Sequence, residues 1–188
     1  MKKISFSLEE KIILLILGAL SVISFFADKG FQDISSTIKS SFLDAALSVF
    51  SLNAGLFIPL IIAASLYFYH RKRNDAILPL WISFAATCVI VYALKFLIER
   101  PRPNGLLITT IFSLQDYSFP SAHAALSFAM LAVIDEEFER IKIVWLIIAV
   151  LIALSRVYFG FHYFSDICFG ALVGYFTGII VVRAMKNR

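Results

Sequence analysis

Three short groups of polar residues in the second half of an otherwise apolar chain contain the residue types needed to bind and transfer a phosphate group. Each group lies at or near the end of an apolar stretch, where ionisable side chains are costly in a membrane and usually functional. The groups are Lys95 and Arg102; Ser121, Ala122 and His123; and Arg156, His162 and Asp166. We therefore examine them as parts of one candidate site.

The cationic members of these groups are suited to a phosphate dianion. Arg102 and Arg156 can each bind two oxygens with a planar guanidinium group, and Lys95 supplies a point charge. Ser121 and Ala122 follow a proline and are predicted to open a helix, whose free N–H groups and positive end would face the same anion. We predict a phosphate cradle made by Lys95, Arg102, Ser121, Ala122 and Arg156.

The remaining members can carry out the chemistry. His162 and Asp166 are four residues apart and share one helix face, so the carboxylate can fix the imidazole tautomer while the other ring nitrogen attacks phosphorus. His123 opens a different helix and can protonate the leaving oxygen, then activate water. No His, Cys, Asp and Glu set has metal-ligand spacing, so we expect neither a metal nor another cofactor.

The composition indicates the kind of fold that must position these residues. The chain has 188 residues, of which 60% are hydrophobic and 16% charged, and its mean hydropathy is +0.86. These values exclude an ordinary soluble domain, a disordered chain and a disulfide scaffold. We expect an all-α polytopic membrane protein with a single domain over residues 1–188 and free thiols at Cys88 and Cys168. The net charge of +4 does not point to nucleic acid, since its placement follows membrane topology.

Six apolar segments approach the length of a membrane-spanning helix. They are Ile12–Ala27, Val49–Tyr69, Ala76–Ile98, Pro120–Ile134, Ile143–Gly160 and Tyr163–Val182. We predict six transmembrane helices in one bundle. The segment Gln32–Phe50 predicts either an interfacial amphipathic helix between spans 1 and 2 or an outward extension of span 2. A cleaved signal peptide is disfavoured because Glu9 and Glu10 interrupt its basic start.

The distribution of Lys and Arg predicts the orientation. With the N-terminus inside, eleven of the seventeen basic residues lie on the inner side, in agreement with the positive-inside rule. Four of the six outer ones, Lys95, Arg100, Arg102 and Arg156, lie close to the candidate site, as an anionic ligand would require. We assign Arg100 itself to the membrane interface. The site is then expected on the outer face of the membrane, away from the cytoplasm.

A stripe of small residues occupies one face of the last span. Gly170, Gly174 and Gly178 recur every four residues, a pattern that lets helices approach closely in lipid. The stripe predicts close packing within the bundle or, alternatively, a dimer formed through this face.

The three polar groups together carry a family resemblance. They read Lys95-x6-Arg102-Pro103, Pro120-Ser121-Ala122-His123 and Ser155-Arg156-x5-His162-x3-Asp166. This order resembles the signature of the type 2 phosphatidic acid phosphatase superfamily over about 70 residues, with Ala122 where glycine is usual. The resemblance implies a helical bundle, a phosphohistidine intermediate and no metal. It also implies that His162 is the nucleophile, Asp166 its partner and His123 the acid and base.

The loop over residues 99–119 bears on the substrate. Its apolar residues favour acyl chains, so we expect a lipid phosphate that enters from the outer leaflet. The resemblance offers phosphatidylglycerophosphate, undecaprenyl pyrophosphate and the 1-phosphate of lipid A, among which the residues do not choose. Phosphate transfer to a second lipid remains open. A non-catalytic transporter of anionic lipids is disfavoured, since binding alone does not need His162, Asp166 and His123.

Overall fold

The computed structural model describes residues 6–51, 57–103, 105, 117–137 and 139–186, and in this part of the chain it is helical with no strand. The helices are α1 (Leu8–Thr37), α2 (Ser41–Ser48), α3 (Phe57–His70), α4 (Ile77–Ile98), α5 (Ala122–Glu137), α6 (Glu139–Tyr158) and α7 (Phe164–Lys186). A short 3-10 turn at Asn74–Ala76 precedes α4. The expected all-α class is confirmed.

Three of these helices are long and apolar enough to cross a membrane: Leu8–Thr37, Asn74–Ile98 (with its 3-10 turn) and Phe164–Lys186. Phe57–His70 and Ala122–Ile134 are shorter apolar helices. The chain thus has the character of a membrane protein, and the count of six spans stays a prediction.

The exposure pattern of α1 is the inverse of that of a helix in a soluble protein. Ser21 and Ser24 are buried, and their hydroxyl groups donate to the carbonyls of Leu17 and Ser21. By contrast, Val22 is 66% exposed and Phe26 is 89% exposed. Small polar residues that face neighbouring helices while large apolar residues face outward are typical of a helix surrounded by lipid.

The segment Gln32–Phe50 is divided in the structure. Its first part continues α1 to Thr37, and a break at residues 38–40 separates it from the short helix α2. Ser36 and Thr37 donate to the Asp33 carbonyl in the last turn of α1, and Ser40 caps α2 by accepting the Leu43 N–H. Side-chain hydrogen bonds to the backbone compete with helix continuation, which explains the break. The segment is therefore neither one interfacial helix nor an extension of span 2, because it consists of the end of α1, the break and α2.

The glycine stripe of α7 packs against α5 of the same chain. A Cβ atom at Gly174 would lie 1.9 Å from the Ala125 carbonyl oxygen, and one at Gly178 would lie 2.7 Å from the Ala129 carbonyl oxygen. Only glycine permits this approach, so the close-packing interpretation applies. The alternative of a dimer through this face is corrected, because α5 already covers it.

Contacts at both ends of α1 define the direction of the bundle. Glu10, near the start of α1, pairs with Arg183, near the end of α7, at 2.9 Å. Asp28, closer to the other end of α1, accepts the N–H of Ser165 at the start of α7 at 2.7 Å. The two helices are therefore antiparallel. We call the end of the bundle that holds Asp28 and Ser165 the site end.

Candidate active site

The ends and starts of four helices meet at the site end. Lys95 lies in the last turn of α4 and Arg156 in the last turn of α6, while Ser121 directly precedes α5 and Asp166 lies in the first turn of α7. α4 ends at Ile98, and the next residue, Glu99, adopts the left-handed conformation (φ 50°) typical of helix C-termini. The following residues then cross the end of the bundle.

A glycine turn places His162 beside the end of α6. Gly160, with φ 71°, donates its N–H to the Val157 carbonyl at 2.9 Å, and Phe161 donates to the Arg156 carbonyl at 2.9 Å. This pair of bonds is the Schellman motif, which needs the left-handed conformation that glycine adopts freely. The His162 N–H also donates to the Arg156 carbonyl, at 3.2 Å. The motif therefore joins two predicted site residues.

The imidazole of His162 is buried and held through one nitrogen. Its Nδ1 lies 2.7 Å from the Ser118 carbonyl oxygen and 3.5 Å from Oδ2 of Asp166. A carbonyl oxygen can only accept, so Nδ1 carries the proton and Nε2 carries the lone pair. The tautomer is thus set by Ser118 as well as by Asp166, and Nε2 is the nitrogen suited to attack.

The charge state of His162 also suits a nucleophile. Burial lowers its pKa to about 4, and the positive charges of Lys95 and Arg102 act in the same direction, while Asp166 opposes them. Removal of the imidazolium ion from water is the largest of these effects. His162 is therefore neutral at physiological pH.

Asp166 is 0% exposed, and both of its carboxylate oxygens accept hydrogen bonds. Oδ1 accepts from Arg100 at 2.7 Å, and Oδ2 accepts from the Ser118 hydroxyl and from the Tyr163 N–H, the latter at 2.8 Å. In the bond with Tyr163, the Asp166 side chain in the first turn of α7 accepts from the backbone of the residue before the helix. This bond stabilises the start of α7. Asp166 thus belongs to both the helix cap and the histidine environment.

The three cradle cations converge on the His162 loop and its neighbours. Lys95 Nζ donates to the Tyr117 carbonyl, and Arg102 donates to the Phe161 carbonyl at 2.7 Å. The guanidinium carbon of Arg156 lies 4.4 Å from the centre of the Phe161 ring. Lys95, Arg102 and Arg156 are all buried. The structure therefore brings together cations that are distant in the sequence.

Arg156 also joins the site to the chain after α2. Its Nη1 donates to the hydroxyl group of Ser51 at 2.8 Å. Tyr158, two residues later, donates to Asp44 of α2 at 2.8 Å. The short helix α2 is thus fastened to the end of α6 next to the site.

The start of α5 is fastened to the start of α7. The Ser121 N–H donates to the Asp166 carbonyl at 3.0 Å, and a Cβ atom at Gly170 would lie 2.6 Å from the Ser121 carbonyl oxygen. Ala122 begins α5, and His123 follows with its ring 5.8 Å from that of Phe57. The second predicted group therefore lies against the third, which brings His123 to the same end as His162.

Four residues of the site were not predicted from the sequence: Asp28, Arg100, Ser118 and Ser165. Arg100 was assigned to the membrane interface, but its guanidinium group bonds Asp28, Ser165 and Asp166. A signal for Asp28 existed, since it is an acidic residue within an apolar helix. Ser118 and Ser165 carry no such signal. The apolar loop residues from Leu106 to Leu114 lie outside the described residues.

The chain is similar to a known family and to named proteins. A model of the PAP2 superfamily matches residues 76–188. Phosphatidylglycerophosphatase B of Bacillus subtilis (strain 168) is 29% identical over 176 residues, which cover 86% of this chain and 82% of that protein. A lipid A 1-phosphatase of Rhizobium johnstonii is 28% identical over 130 residues, which cover 60% of this chain and 53% of that protein.

A solved structure shows the same fold. It is the crystal structure of a transmembrane PAP2 type phosphatidylglycerolphosphate phosphatase from Bacillus subtilis, with a TM-score of 0.71 and 23% sequence identity. The match covers 95% of this chain and 94% of that one. The family match, for its part, covers more than half of the chain and includes all three motif groups. The chain therefore belongs to the PAP2 superfamily.

Proposed function

We propose that this protein removes a phosphate group from a membrane lipid through a phosphohistidine formed on His162. The family and the named relatives support a lipid phosphate phosphatase. The observation that carries the mechanism is the bond between His162 Nδ1 and the Ser118 carbonyl, which leaves the Nε2 lone pair for attack. The cations around the His162 loop support phosphate binding there.

The first chemical step is an in-line displacement at phosphorus. Nε2 of His162 forms a bond to phosphorus while the bond from phosphorus to the lipid oxygen breaks, and His123 donates a proton to that oxygen. Lys95, Arg102 and Arg156 neutralise the charge on the remaining phosphate oxygens, helped by the N-terminus of α5 at Ser121 and Ala122. Asp166 stabilises the positive charge that His162 acquires.

The second step regenerates the enzyme. His123, now neutral, takes a proton from a water molecule whose oxygen attacks the phosphohistidine, and the bond between nitrogen and phosphorus breaks to release phosphate. A lipid hydroxyl in place of water would give phosphate transfer to a second lipid instead. No step in this scheme requires a metal, because side chains supply the charge neutralisation and the nucleophile.

We infer that the substrate is a lipid with a terminal phosphate, and that phosphatidylglycerophosphate is the first candidate. The relative that bears this name matches most of the chain, whereas the lipid A 1-phosphatase match covers 60% of it. Purified protein is to be assayed for released phosphate on phosphatidylglycerophosphate, lipid A, undecaprenyl pyrophosphate and glucose 6-phosphate. Equal turnover of the sugar phosphate would contradict a lipid substrate.

The covalent intermediate is tested by trapping it. Wild-type protein mixed briefly with substrate labelled in the phosphate, then denatured in base, should retain label that is released by acid, as expected for phosphohistidine. His162→Ala should retain none, and its turnover should fall by several orders of magnitude. His70→Ala provides the control, since His70 ends α3, away from the motif groups. Labelled protein in His162→Ala would contradict the assignment.

A further inference from the structure

The carboxylate of Asp28 reaches the site from a helix that the family match does not include. The matched residues begin at 76, whereas Asp28 belongs to α1. Its Oδ1 accepts the Ser165 N–H at 2.7 Å, and its Oδ2 accepts the Ser165 hydroxyl at 2.7 Å and Arg100 Nη2 at 2.8 Å. Every one of these bonds connects α1 to a residue next to the motif groups.

Arg100 is the link between Asp28 and the catalytic pair. Its Nη2 donates to Asp28, and its Nη1 donates to Asp166 Oδ1 and to the Ser165 hydroxyl, both at 2.7 Å. The face of the guanidinium group lies 3.9 Å from the centre of the Tyr163 ring, which limits its rotation. We call Asp28, Arg100, Ser165 and Asp166 the Arg100 network.

The network differs from a pair that only ties two helices together. Asp166, fully buried, uses one carboxylate oxygen for Arg100 and places the other 3.5 Å from His162 Nδ1. A shift or rotation of Arg100 therefore changes the position of the group next to the nucleophile. Two carboxylates also share one guanidinium charge, so the charge that Arg100 presents to Asp166 depends on Asp28.

We propose that Arg100 and Asp28 are positioning residues for catalysis, with Arg100 holding the Asp166 carboxylate against His162 and Asp28 holding Arg100. This inference rests on the proposed phosphohistidine mechanism. The guanidinium group of Arg100 donates to two carboxylates and a serine hydroxyl, so its hydrogen bonds are directed into the network. Its loss should therefore slow the chemical step and leave phosphate binding intact.

The direction of each effect follows from charge. Asp28→Asn keeps an oxygen for the Ser165 N–H but removes the negative charge. The positive charge of Arg100 is then shared with Asp166 alone. The carboxylate is then less able to stabilise positive charge on His162 during phosphoryl transfer. Arg100→Lys keeps the charge but cannot bridge two carboxylates at once. Outer partners of metal ligands typically affect activity by about 10- to 100-fold, and we expect losses of similar size in kcat for these partners of Asp166.

The test compares Asp28→Asn, Arg100→Lys and Arg102→Ala in detergent-purified full-length protein. The control is Asp33→Asn, the same change on an exposed residue of α1. Phosphatidylglycerophosphate is the substrate, vanadate is the phosphate mimic, and thermal unfolding and gel filtration report the folded fraction. We expect Asp28→Asn and Arg100→Lys to lower kcat per folded protein about 10-fold or more with KM and vanadate affinity unchanged. Arg102→Ala should weaken vanadate binding.

Three outcomes would overturn this inference. The first is a kcat within twofold of wild type in both variants. The second is a loss of activity that disappears when activity is divided by the folded fraction, which would mean that the network only stabilises the fold. The third is weaker vanadate binding in Arg100→Lys, which would place Arg100 in the phosphate cradle. Failure of the underlying mechanism is recognised separately, because His162→Ala would then release phosphate as fast as wild type.

Discussion

At the scale of single residues, the buried environment of His162 favours the role of nucleophile that we propose for it. The Ser118 carbonyl fixes the proton on Nδ1, and burial keeps the ring neutral. Both effects leave Nε2 with its lone pair in the absence of any substrate. A histidine in solution would spend part of its time in the other tautomer and, below its usual pKa, as a cation.

This tautomer can be observed directly. In protein labelled with ¹⁵N at histidine, the signal that disappears in His162→Gln should show a protonated Nδ1 and an unprotonated Nε2. It should keep that pattern from pH 8 to pH 5, because the folded-state pKa is lowered to about 4, and should change only as the pH falls through that value. A protonated Nε2 at neutral pH would contradict the proposed direction of attack.

The cradle of side-chain cations leads to a second prediction at this scale. In the part of the chain that the structure describes, no three His, Cys, Asp or Glu side chains are grouped as metal ligands. We expect phosphate release to survive dialysis against EDTA, because Lys95, Arg102 and Arg156 neutralise the phosphate. Vanadate should inhibit competitively, since it mimics the five-coordinate transition state. Activity lost with EDTA and restored by magnesium would show that a metal site exists.

At the scale of elements, the site depends on how helices end and begin. The Schellman motif at the end of α6 holds Arg156 and His162 together, and the shared contact of Ser121 with Asp166 joins the starts of α5 and α7. The backbone groups at helix ends lack partners within their own helix, so they are available for such bonds. The proposed catalytic residues at these helix ends are therefore positioned by the backbone as well as by side chains.

Gly160→Ala tests the turn. Alanine at φ 71° should lower the free energy of unfolding by about 1 to 2 kcal/mol and reduce phosphate release by displacing His162. Gly18→Ala provides the control, because a Cβ atom there meets nothing within 4 Å in the middle of α1. That substitution should leave activity unchanged and should not destabilise the helix. Equal behaviour of the two variants would contradict a role for the turn.

At the scale of the whole molecule, the placement of the site relative to the membrane follows from the antiparallel order of the helices. The start of α1 lies beside the end of α7, where Glu10 pairs with Arg183, and the site lies at the opposite end. Basic residues concentrate on the side away from the site, which predicts a periplasmic site in a bacterial inner membrane.

Labelling with a membrane-impermeant thiol reagent tests this orientation. Two variants are made in protein whose own cysteines are replaced by alanine. Lys39→Cys lies between α1 and α2 near the site, and Asn74→Cys lies between α3 and α4. In intact cells the first should react and the second should react only after the membrane is opened. The reverse pattern would place the site on the cytoplasmic face. Thr109, in the long loop, also belongs to the predicted outer side but lies outside the described residues.

The sequence by itself determined the helical class and the membrane character, and it predicted candidate site residues that the structure brings to the site end. The apolar excess leaves few alternatives to a membrane bundle. Three groups of cations and histidines at the ends of apolar spans indicated a site, although a single cation at such a position can also be an interface anchor. Only part of the local geometry was predictable. His123 lies in the first turn of α5 as expected, but His162 and Asp166 do not share a helix face, because His162 lies in the turn before α7. The glycine stripe indicated close packing, but the sequence did not say against which helix.

Only the tertiary structure decided which residues contact His162 and Asp166. Arg100 at the end of an apolar segment has the same local sequence context as a membrane-interface anchor, and Asp28 is 72 residues away from it along the chain. The carbonyl of Ser118 acts through its backbone, which residue type does not reveal. Such bonds depend on how α1, α4 and α7 meet at the site end. These contacts exist only in the packed bundle, because the partners of each charged side chain lie on other helices.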